Sequence, residues 1–524
     1  MRVKSIMNMF IIFLLVSAIF LPGTVSHAET QGEPDVRIGV VPTAETITIG
    51  SEGDFTIETK ESGETIYEGS NEDATVTLES TADIETLFRL QAGSTTSQAA
   101  IDEWVALAEA EGYPTYLEPY LEFTRLLIGE FSLDATWGER EVFRQEVISK
   151  GLAGGDSFWR QITTVDGETT IKVSGANGEV ISEEAVVITS STNLVKMNGS
   201  NYRGIGEVGF NSSGTLAGIN EVNIDDYVQG VVPHELPPEP FGGLDAVEAQ
   251  KAQAIAARTY ALNNLGKRSS DGYDLLPTTA DQVYGGYDNE HPISTGAVQD
   301  TKAVVATYDG ELITTVYHST SGGFTANNED IWNSPAVPYL RGVPVSERGR
   351  ALENVPTLEM FKNHANSRSL RAKKESFEAD WSRYYRWNFE WTPEEISLVL
   401  SERFNTDVGE VLEINVLERS DSGRVYEIEF VTENGTFYEQ KDQIRWALQY
   451  INASGNPSPL LSTLFFIEPM KEGNDVTGFK VYGGGWGHGI GMSQVGAVGM
   501  AVKGWSYEEI LKHFYQGIEL ELYY

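Results

Sequence analysis

The absence of cysteine is the feature that most limits how this chain can be stabilised. None of its 524 residues is a cysteine, which excludes disulfides, thiolate zinc sites, Cys-ligated iron–sulfur clusters and cysteine nucleophiles. Apolar residues make up 40% and aromatic residues 10% of the chain, enough to build packed cores and to exclude wholesale disorder. Packing must therefore hold the fold together, and the length predicts about three domains.

The charge balance excludes one large class of partner. The chain has 37 lysines and arginines against 77 aspartates and glutamates, a net charge of −40. Binding nucleic acid requires clustered cations that displace the counterions of the phosphates. Nucleic acid is therefore excluded as a partner, and an anionic membrane surface is disfavoured for the same reason.

The first residues predict export. Arg2 and Lys4 precede an apolar stretch from Ile6 to Leu21, and Ser26-His27-Ala28 supplies the small residues at which signal peptidase cleaves. Residues 1–28 are therefore predicted to be a secretory signal peptide. The alternative is that the segment stays uncleaved as a membrane anchor, and only in that case is a membrane contact expected.

The N-terminal half contains an internal repeat between β-rich segments. Residues 29–82 alternate polar and apolar side chains, and residues 163–199 are predicted to be a β-rich connector. Between them, within residues 83–162, Arg89–Gly93 recurs as Arg125–Gly129. Each copy predicts strand, turn, helix and strand, so the pair predicts a compact α/β sandwich. This unit resembles the SPOR domain, which binds peptidoglycan glycan strands that lack stem peptides; the alternative is a ferredoxin-like domain with no ligand.

A single carboxylate stands among prolines and apolar residues in Val232-Pro233-His234-Glu235-Leu236-Pro237-Pro238. Prolines fix the backbone and lack an N–H donor, so Glu235 is predicted to be poorly solvated and protonated. A general acid needs that state. A zinc-protease helix is excluded because position 238 is proline, where its second histidine would stand. The alternative is an ordinary loop carboxylate.

The segment from Leu244 to Leu265 is predicted to be a helix ending before Gly266. Its apolar stripe includes two cations, Lys251 and Arg258. A buried cation is costly unless it is paired. The two side chains are therefore expected either to extend to the rim or to face carboxylates or a polar ligand in a cleft.

Three further segments combine glycine with polar residues: Asp281–Gly286, Tyr317–Gly323 and Gly483–Gln494. Dinucleotide binding does not fit, since Gln494 stands where the third glycine of the fingerprint is needed. A serine hydrolase does not fit either, since Ser321 lacks the nucleophile-elbow motif. His318 and His488 are candidate metal ligands or structural histidines, but without a clear third ligand no metal site is predicted.

The order of these segments resembles the SpoIID/LytB family, which comprises stage II sporulation protein D and the LytB amidase enhancers. The resemblance is carried by Pro233-His234-Glu235-Leu236-Pro237, Lys251–Tyr260, Gln282–Gly286, His318–Gly323 and Gly485–Gly489. It covers about residues 200–524, with an insertion-like subregion at 346–475. The expected fold is α+β: a β-rich, multi-domain chain with a SPOR-like sandwich and a mixed SpoIID-type catalytic region.

The resemblance implies a lytic transglycosylase that cleaves the MurNAc–GlcNAc bond of stem-peptide-free glycan strands and leaves a 1,6-anhydro end. The family's catalytic glutamate matches Glu235. The polar residues of the other motifs are the expected substrate contacts: Lys251, Arg258, Gln282, Tyr284, His318, Ser321, His488 and Gln494. No cofactor is expected, and no zinc, because the Cys/His site of some members would need cysteine. The alternative is a non-catalytic, wall-associated enhancer of an N-acetylmuramoyl-L-alanine amidase; either protein would be secreted to the cell wall.

Overall fold

The computed structural model describes residues 32–524, except 81–82, 121–122, 156, 167–168, 348–374, 453 and 474. The predicted signal peptide and the basic stretch from Arg368 to Lys374 lie outside the described residues. Among the residues described, no helix is both long and apolar enough to span a membrane.

The described chain is strand-rich. Its strands are β1 Asp35–Ala44, β2 Thr46–Thr59, β3 Thr65–Ser80, β4 Asp83–Thr95, β5 Thr115–Tyr120, β6 Phe123–Phe131, β7 Phe158–Asp166, β8 Thr170–Gly175, β9 Gly178–Ser182, β10 Val186–Ser190, β11 Leu194–Met197, β12 Ser200–Arg203, β13 Ile205–Phe210, β14 Leu216–Asn223, β15 Val304–Tyr308, β16 Glu311–Leu312, β17 Tyr317–His318, β18 Trp387–Trp391, β19 Val411–Arg419, β20 Val425–Thr432, β21 Gly435–Gln440, β22 Tyr450–Ile451, β23 Pro457–Ser458, β24 Phe465–Glu472, β25 Asp475–Gly483, β26 Met492–Ser493 and β27 Glu519–Leu522. Its α-helices are α1 Gln98–Ala110, α2 Trp137–Ser149, α3 Ile224–Glu235, α4 Val247–Asn263, α5 Pro292–Asp300, α6 Asn328–Ile331, α7 Pro393–Phe404, α8 Gln443–Ala447, α9 Gln494–Val502 and α10 Tyr507–Phe514.

The first large element is a ten-stranded sheet. Its strands run in the order β1-β14-β13-β10-β2-β3-β8-β9, and β11 pairs with both β2 and β12. Alternate residues such as Ile47, Ile49 and Ile57 are buried on one face, as expected for strands with period two. Because β8 pairs with β3, the sheet combines strands from before and after the internal repeat.

The internal repeat forms a separate four-stranded antiparallel sheet between β3 and β8, in the order β5-β6-β4-β7. Each copy is strand, helix and strand, as the sequence predicts. Ser97 and Thr136 cap α1 and α2 by accepting backbone N–H bonds, as N-cap residues do. The helices pack over one face of the sheet around Leu90, Leu126 and Ile128.

Helix α4 is the centre of the C-terminal region. Its alanines pack against α3 on one side, through Ala254, Ala257 and Ala261, and against α9 and α10 on the other, through Ala249, Ala252 and Ala256. Small side chains permit this close approach of helices on both sides. The predicted start of the helix was wrong: Leu244 lies in a 3₁₀ turn before α4 and is 75% exposed.

A further region, β18 to β25 with α7 and α8, has its own core, which includes Trp387, Trp391 and Phe430. Asp421-Ser422-Gly423, a sequence that favours a tight turn, connects β19 and β20 in a hairpin. Strands β18 and β24 flank β25, whose C-terminal end leads directly into the glycine-rich segment 483–494. This region therefore helps to fix the backbone of that segment.

Candidate functional site

Glu235 is the last residue of α3, a helix that the sequence analysis did not predict. Asn223 caps its start by accepting the N–H of Asp225 at 2.9 Å. Pro233 lies in the last turn, and Leu236 leaves helical geometry immediately before Pro237 and Pro238. Proline cannot donate to the helix and restricts the residue before it, so these prolines end α3 at Glu235.

The carboxylate of Glu235 is held by groups from two of the predicted motifs. The backbone N–H of Val283 donates to its Oε1 at 2.7 Å. The Nε2 of Gln494 donates to its Oε2 at 3.2 Å and to its backbone oxygen at 2.8 Å. Both contacts involve residues far along the chain, so the position of Glu235 depends on the tertiary fold.

Burial raises the pKa of Glu235 above its ordinary value, although the bonds from Val283, Gln494 and Tyr317 favour the charged form. The negative end of the α3 dipole also lies at this residue and opposes ionisation. The predicted low solvation of this carboxyl group is therefore present. A carboxylic acid in this state can donate a proton to a substrate oxygen.

A second layer of hydrogen bonds fixes Tyr317 beside the carboxylate. The Nε2 of Gln282 donates to the hydroxyl of Tyr317 at 2.9 Å, and its Oε1 accepts from Tyr227 at 3.2 Å. Because the hydroxyl of Tyr317 already accepts from Gln282, its own proton is free to be donated to Glu235. Gln282 thus supports Glu235 through Tyr317.

Sequence reasoning missed Tyr317 and Val283, the nearest partners of Glu235 besides Gln494. Tyr317 stands directly before His318, in the segment already singled out, but a tyrosine next to a histidine gives no specific signal. Val283 contributes only its backbone N–H, which residue type cannot reveal. The parallel pairing of β17 with β26, Tyr317 opposite Met492, brings the two segments together.

Gln494 begins α9, and a buried network fixes that end of the helix. The Oγ of Ser493 accepts the N–H of Gly496 at 3.1 Å and donates to Glu378 Oε1 at 2.6 Å. The backbone N–H of Ser321 donates to the same oxygen at 2.5 Å. Ser321 is fully buried, so the structure places it in this support for Gln494 and not beside Glu235.

The two histidines lie close together and are neutral. The ring centroids of His318 and His488 are 5.5 Å apart. His318 Nδ1 donates to the backbone oxygen of Ile490 at 3.0 Å, and His488 Nδ1 accepts the N–H of Ile490 at 3.0 Å. Burial lowers the pKa of His488 to about 3 and that of His318 well below its usual value. These bonds favour the structural alternative for both residues.

Tyr284 and the two cations of α4 lie in other surroundings. The hydroxyl of buried Tyr284 donates to Asn220 Oδ1 at 2.9 Å. Arg258 is fully buried and pairs with Asp225 at 2.6 Å. Lys251 pairs with Glu248 at 3.2 Å and Asp300 at 3.1 Å. Both cations therefore face carboxylates, one of the sequence-based alternatives, and the structure does not bring them to Glu235.

The described residues contain no group of three or more His, Cys, Asp or Glu side chains that could hold a metal ion. What is assembled instead is one protonatable acid, one tyrosine and two amide side chains, Gln282 and Gln494. Such a set can transfer a proton and orient a neutral polar substrate.

Comparison with known proteins places this site in a family. A stage II sporulation protein model matches residues 212–308, and a domain of unknown function (DUF8618) matches residues 326–491. The first match contains Glu235, Gln282 and all of α3 to α5. The chain carries a SpoIID family domain over residues 212–308.

The full-length relatives agree with this assignment. The amidase enhancer of Bacillus subtilis is 30% identical over 56% of this chain and 40% of its own length. Stage II sporulation protein D of the same organism is 27% identical over 58% of this chain and 75% of its own length. An uncharacterized protein of Brachyspira hyodysenteriae is 28% identical over 68% of this chain and 84% of its own. The chain thus spans less than half of the amidase enhancer.

One solved structure is similar to a small part of this chain. It is the solution structure of the peptidoglycan binding domain of the B. subtilis cell wall lytic enzyme CwlC, which is 19% identical and covers 17% of the chain. All of that domain is covered, with a TM-score of 0.12, a value too low to support an argument.

Proposed function

We propose that this protein is a peptidoglycan lytic transglycosylase that cleaves MurNAc–GlcNAc bonds in glycan strands lacking stem peptides. The observation that carries the proposal is the buried carboxyl group of Glu235, whose pKa is raised by burial and which Val283 and Gln494 hold in place. Ordinary glycosidases use two carboxyl groups. A transglycosylase whose attacking hydroxyl belongs to the substrate requires only one.

In the proposed reaction Glu235 acts first as the acid and then as the base. Protonated Glu235 gives its proton to the glycosidic oxygen as the bond from that oxygen to C1 of MurNAc breaks. The 6-hydroxyl of the same MurNAc then attacks C1, and the Glu235 carboxylate takes the hydroxyl proton. No water is consumed, and Glu235 ends protonated. Intramolecular attack gains the high effective concentration of a tethered nucleophile.

Tyr317 and Gln494 both support Glu235 in this scheme. Their hydrogen bonds stabilise the carboxylate that forms after the first proton transfer. Gln282 keeps the hydroxyl of Tyr317 oriented. We regard Gln282 as a positioning residue and Gln494 as a residue within reach of both Glu235 and the substrate.

The test is digestion of stem-peptide-free glycan followed by mass spectrometry of the new ends. We expect 1,6-anhydro-MurNAc ends from the natural protein, and a loss of at least about 100-fold in Glu235→Gln, as for removal of a general acid. Glu239→Gln, four residues away and exposed, is the matched control and should keep full activity. Ordinary reducing ends, or full activity in Glu235→Gln, would contradict the proposal.

A second candidate function is enhancement of an N-acetylmuramoyl-L-alanine amidase without catalysis, which the similarity to the Bacillus subtilis amidase enhancer supports. In that case Glu235→Gln should stimulate a wall amidase as well as the natural protein does. A purified protein that leaves the amidase rate unchanged would exclude this function.

We extend the proposal to the four-stranded domain of β4 to β7 as a holder of the glycan strand. Arg89 and Arg160 are paired across β4 and β7, and Arg125 and Arg160 both bond Glu118. Stripping the stem peptide leaves a lactyl carboxylate on each MurNAc. Arg89 is buried and pairs with Glu130 at 2.8 Å. Arginine binds carboxylates through a planar pair of donors, so a lactyl carboxylate would exchange with Glu118 for Arg125 and Arg160.

A further inference from the structure

Four aromatic side chains, one exposed and three half-buried, lie where the region of β18 to β25 meets the catalytic region. The aromatic strip consists of Trp486, Tyr384, Tyr450 and Phe389. The rings of Trp486 and Tyr384 are 4.5 Å apart, and those of Tyr450 and Phe389 are stacked at 4.2 Å. Trp486 is 42% exposed, although the glycines beside it are mostly buried.

Backbone hydrogen bonds hold Trp486 rigidly in this exposed position. Its N–H donates to Thr320 at 2.7 Å and its carbonyl accepts from Thr320 at 3.1 Å. On either side, Gly485 donates to Tyr384 at 2.8 Å and Gly487 donates to Leu461 at 2.9 Å. An exposed aromatic residue whose backbone is held by such bonds and whose ring rests against Tyr384 is partly preorganised for a ligand, which lowers the entropy cost of binding.

The strip lies close to Glu235 along one short segment. Tyr317, whose hydroxyl lies beside Glu235, is three residues before Thr320, the residue paired with Trp486. Three extended residues span at most about 11 Å, roughly the length of a disaccharide. The backbone at Thr320 and Trp486 therefore lies within about one disaccharide length of the backbone at Tyr317, the separation expected of neighbouring sugar subsites.

Arg383 supplies a charge at the same place. Its guanidinium lies 4.7 Å from the ring centroid of Tyr384, and it belongs to a chain with a net charge of −40. Its Nη2 donates to the hydroxyl of Tyr384 at 2.5 Å, and the other N–H groups of this planar, weakly hydrated cation suit a carboxylate at its edge. A ligand for this surface therefore combines a flat apolar face with a carboxylate.

We propose that the aromatic strip and Arg383 form a subsite for an acidic pyranose of the glycan strand, a MurNAc with a free lactyl carboxylate. The C–H face of the sugar would lie on the electron-rich faces of Trp486 and Tyr384, and the carboxylate would pair with Arg383. This inference rests on the proposed glycan substrate. It explains the selection of strands without stem peptides by contacts that are separate from the residues around Glu235.

A spectroscopic experiment tests the subsite directly. The full-length Glu235→Gln protein is labelled with fluorotryptophan and titrated with stem-peptide-free glycan strands, and fluorine NMR is recorded. The Trp486 signal is identified by its loss when Trp486→Phe is added. We expect that signal to shift with saturation. A Trp486 signal that stays unchanged while the strands bind the protein would overturn the subsite.

Kinetics of the otherwise natural protein give a second test. Trp486→Ala is expected to raise KM about tenfold while kcat stays within about twofold, because the contact is made equally in the ground and transition states. Trp486→Phe should restore KM. Tyr438→Ala, another exposed aromatic residue, is the matched control and should leave KM unchanged. An unchanged KM in Trp486→Ala would count against the inference.

Arg383→Gln separates the two parts of the proposed ligand. It should weaken binding of glycan with free lactyl groups about tenfold and leave binding of carboxylate-free chito-oligosaccharides of equal length unchanged. Equal effects on both ligands would refute the carboxylate contact. Failure of the proposed function is distinguishable: it is the absence of anhydro ends, and the NMR shift does not depend on cleavage.

Discussion

A carboxylic acid that must donate a proton above its ordinary pKa needs surroundings that oppose its ionisation, and Glu235 has them. Burial raises its pKa above 4.5, so the folded chain keeps a proton in a pH range where the unfolded chain has lost it. Stability from this group is therefore full below about pH 4.5 and falls as the pH rises through the raised pKa. In the proposed mechanism the protonated form is the active one, so the active fraction falls over the same range.

We therefore expect kcat/KM for anhydro-end formation to decrease as the pH rises through the raised pKa of Glu235. The thermal unfolding midpoint of the natural protein should fall relative to that of Glu235→Gln over the same range, because glutamine does not ionise. Both quantities are measured as pH profiles. Parallel unfolding profiles for the two proteins would show that the pKa of Glu235 is unperturbed.

The two cations of α4 have very different burial, and their removal should have different consequences. Arg258→Met leaves Asp225 largely buried without its cation, since the Asp225 side chain is only 12% exposed. We expect a loss of about 3–5 kcal/mol in the free energy of unfolding. Lys251→Met breaks pairs at the rim, where Asp300 is 62% exposed, and should cost about 1 kcal/mol or less.

Denaturant unfolding of both variants checks this expectation, and KM for glycan is the second readout. Substitution of Arg258 should change stability, and substitution of Lys251 should change neither quantity strongly. A stable Arg258→Met protein with a raised KM would favour the original prediction that Arg258 contacts substrate.

At the level of residues, sequence reasoning singled out Glu235 and Gln494, which the structure brings into contact, but it could not rank the other polar residues. Glu235 was recognisable because the prolines around it limit its solvation locally. The roles of His318, Ser321 and Tyr284 depend on partners far along the chain, such as Glu378 and Asn220. Polarity and motif position do not distinguish a buried support from a substrate contact.

At the level of elements, the packing of α9 positions Gln494, and Gly499 is the residue that permits it. A Cβ at Gly499 would lie 1.8 Å from the backbone oxygen of Phe377. Backbone atoms cannot yield as a flexible side chain can, so Gly499→Ala should push α9 away from Phe377. We expect a loss of about 1–3 kcal/mol of stability and lower activity through displacement of Gln494.

Gly138→Ala is the matched control in another helix. The nearest atom to a Cβ at Gly138 is 4.0 Å away, and alanine favours helix over glycine by about 1 kcal/mol. This variant should be slightly stabilised with unchanged activity. Denaturant unfolding measures both substitutions; equal effects would show that contact with Phe377 does not matter.

The elements that the sequence predicted well are those set by local signals. The hairpin of β19 and β20 follows a turn that is readable in three residues, and the repeat reveals α1 and α2 through their caps. Helix α3 was missed because Pro233 and the following prolines favour a loop interpretation. Its last turn tolerates Pro233 because the helix ends two residues later.

At the scale of the whole molecule, strands that are far apart in the sequence pair with each other in the fold. The ten-stranded sheet pairs β3 with β8 across the inserted four-stranded domain, and β1 with β14 across most of the N-terminal half. No local pattern encodes such pairings. In the functions proposed here, one domain holds the glycan strand and another cleaves it, and a continuous sheet connects both to the same scaffold.

The net charge of −40 affects how the whole protein approaches a charged surface. Walls that carry anionic polymers such as teichoic acids repel so acidic a protein over a Debye length, about 10 Å at 0.1 M salt and about 3 Å at 1 M. Salt also weakens the local contacts of arginine with lactyl carboxylates. The amount of protein bound to one wall preparation therefore combines two opposite effects of salt. The ratio of binding to complete walls over binding to polymer-stripped walls isolates the repulsion.

We expect this ratio to lie well below one at low salt and to rise towards one as sodium chloride is added. Cosedimentation of the Glu235→Gln protein with both wall preparations measures it without degradation of the walls. The lactyl contacts are the same in both preparations, so their weakening cancels from the ratio. A ratio that stays constant or falls with salt would mean that the acidic surface does not face the wall when the protein binds.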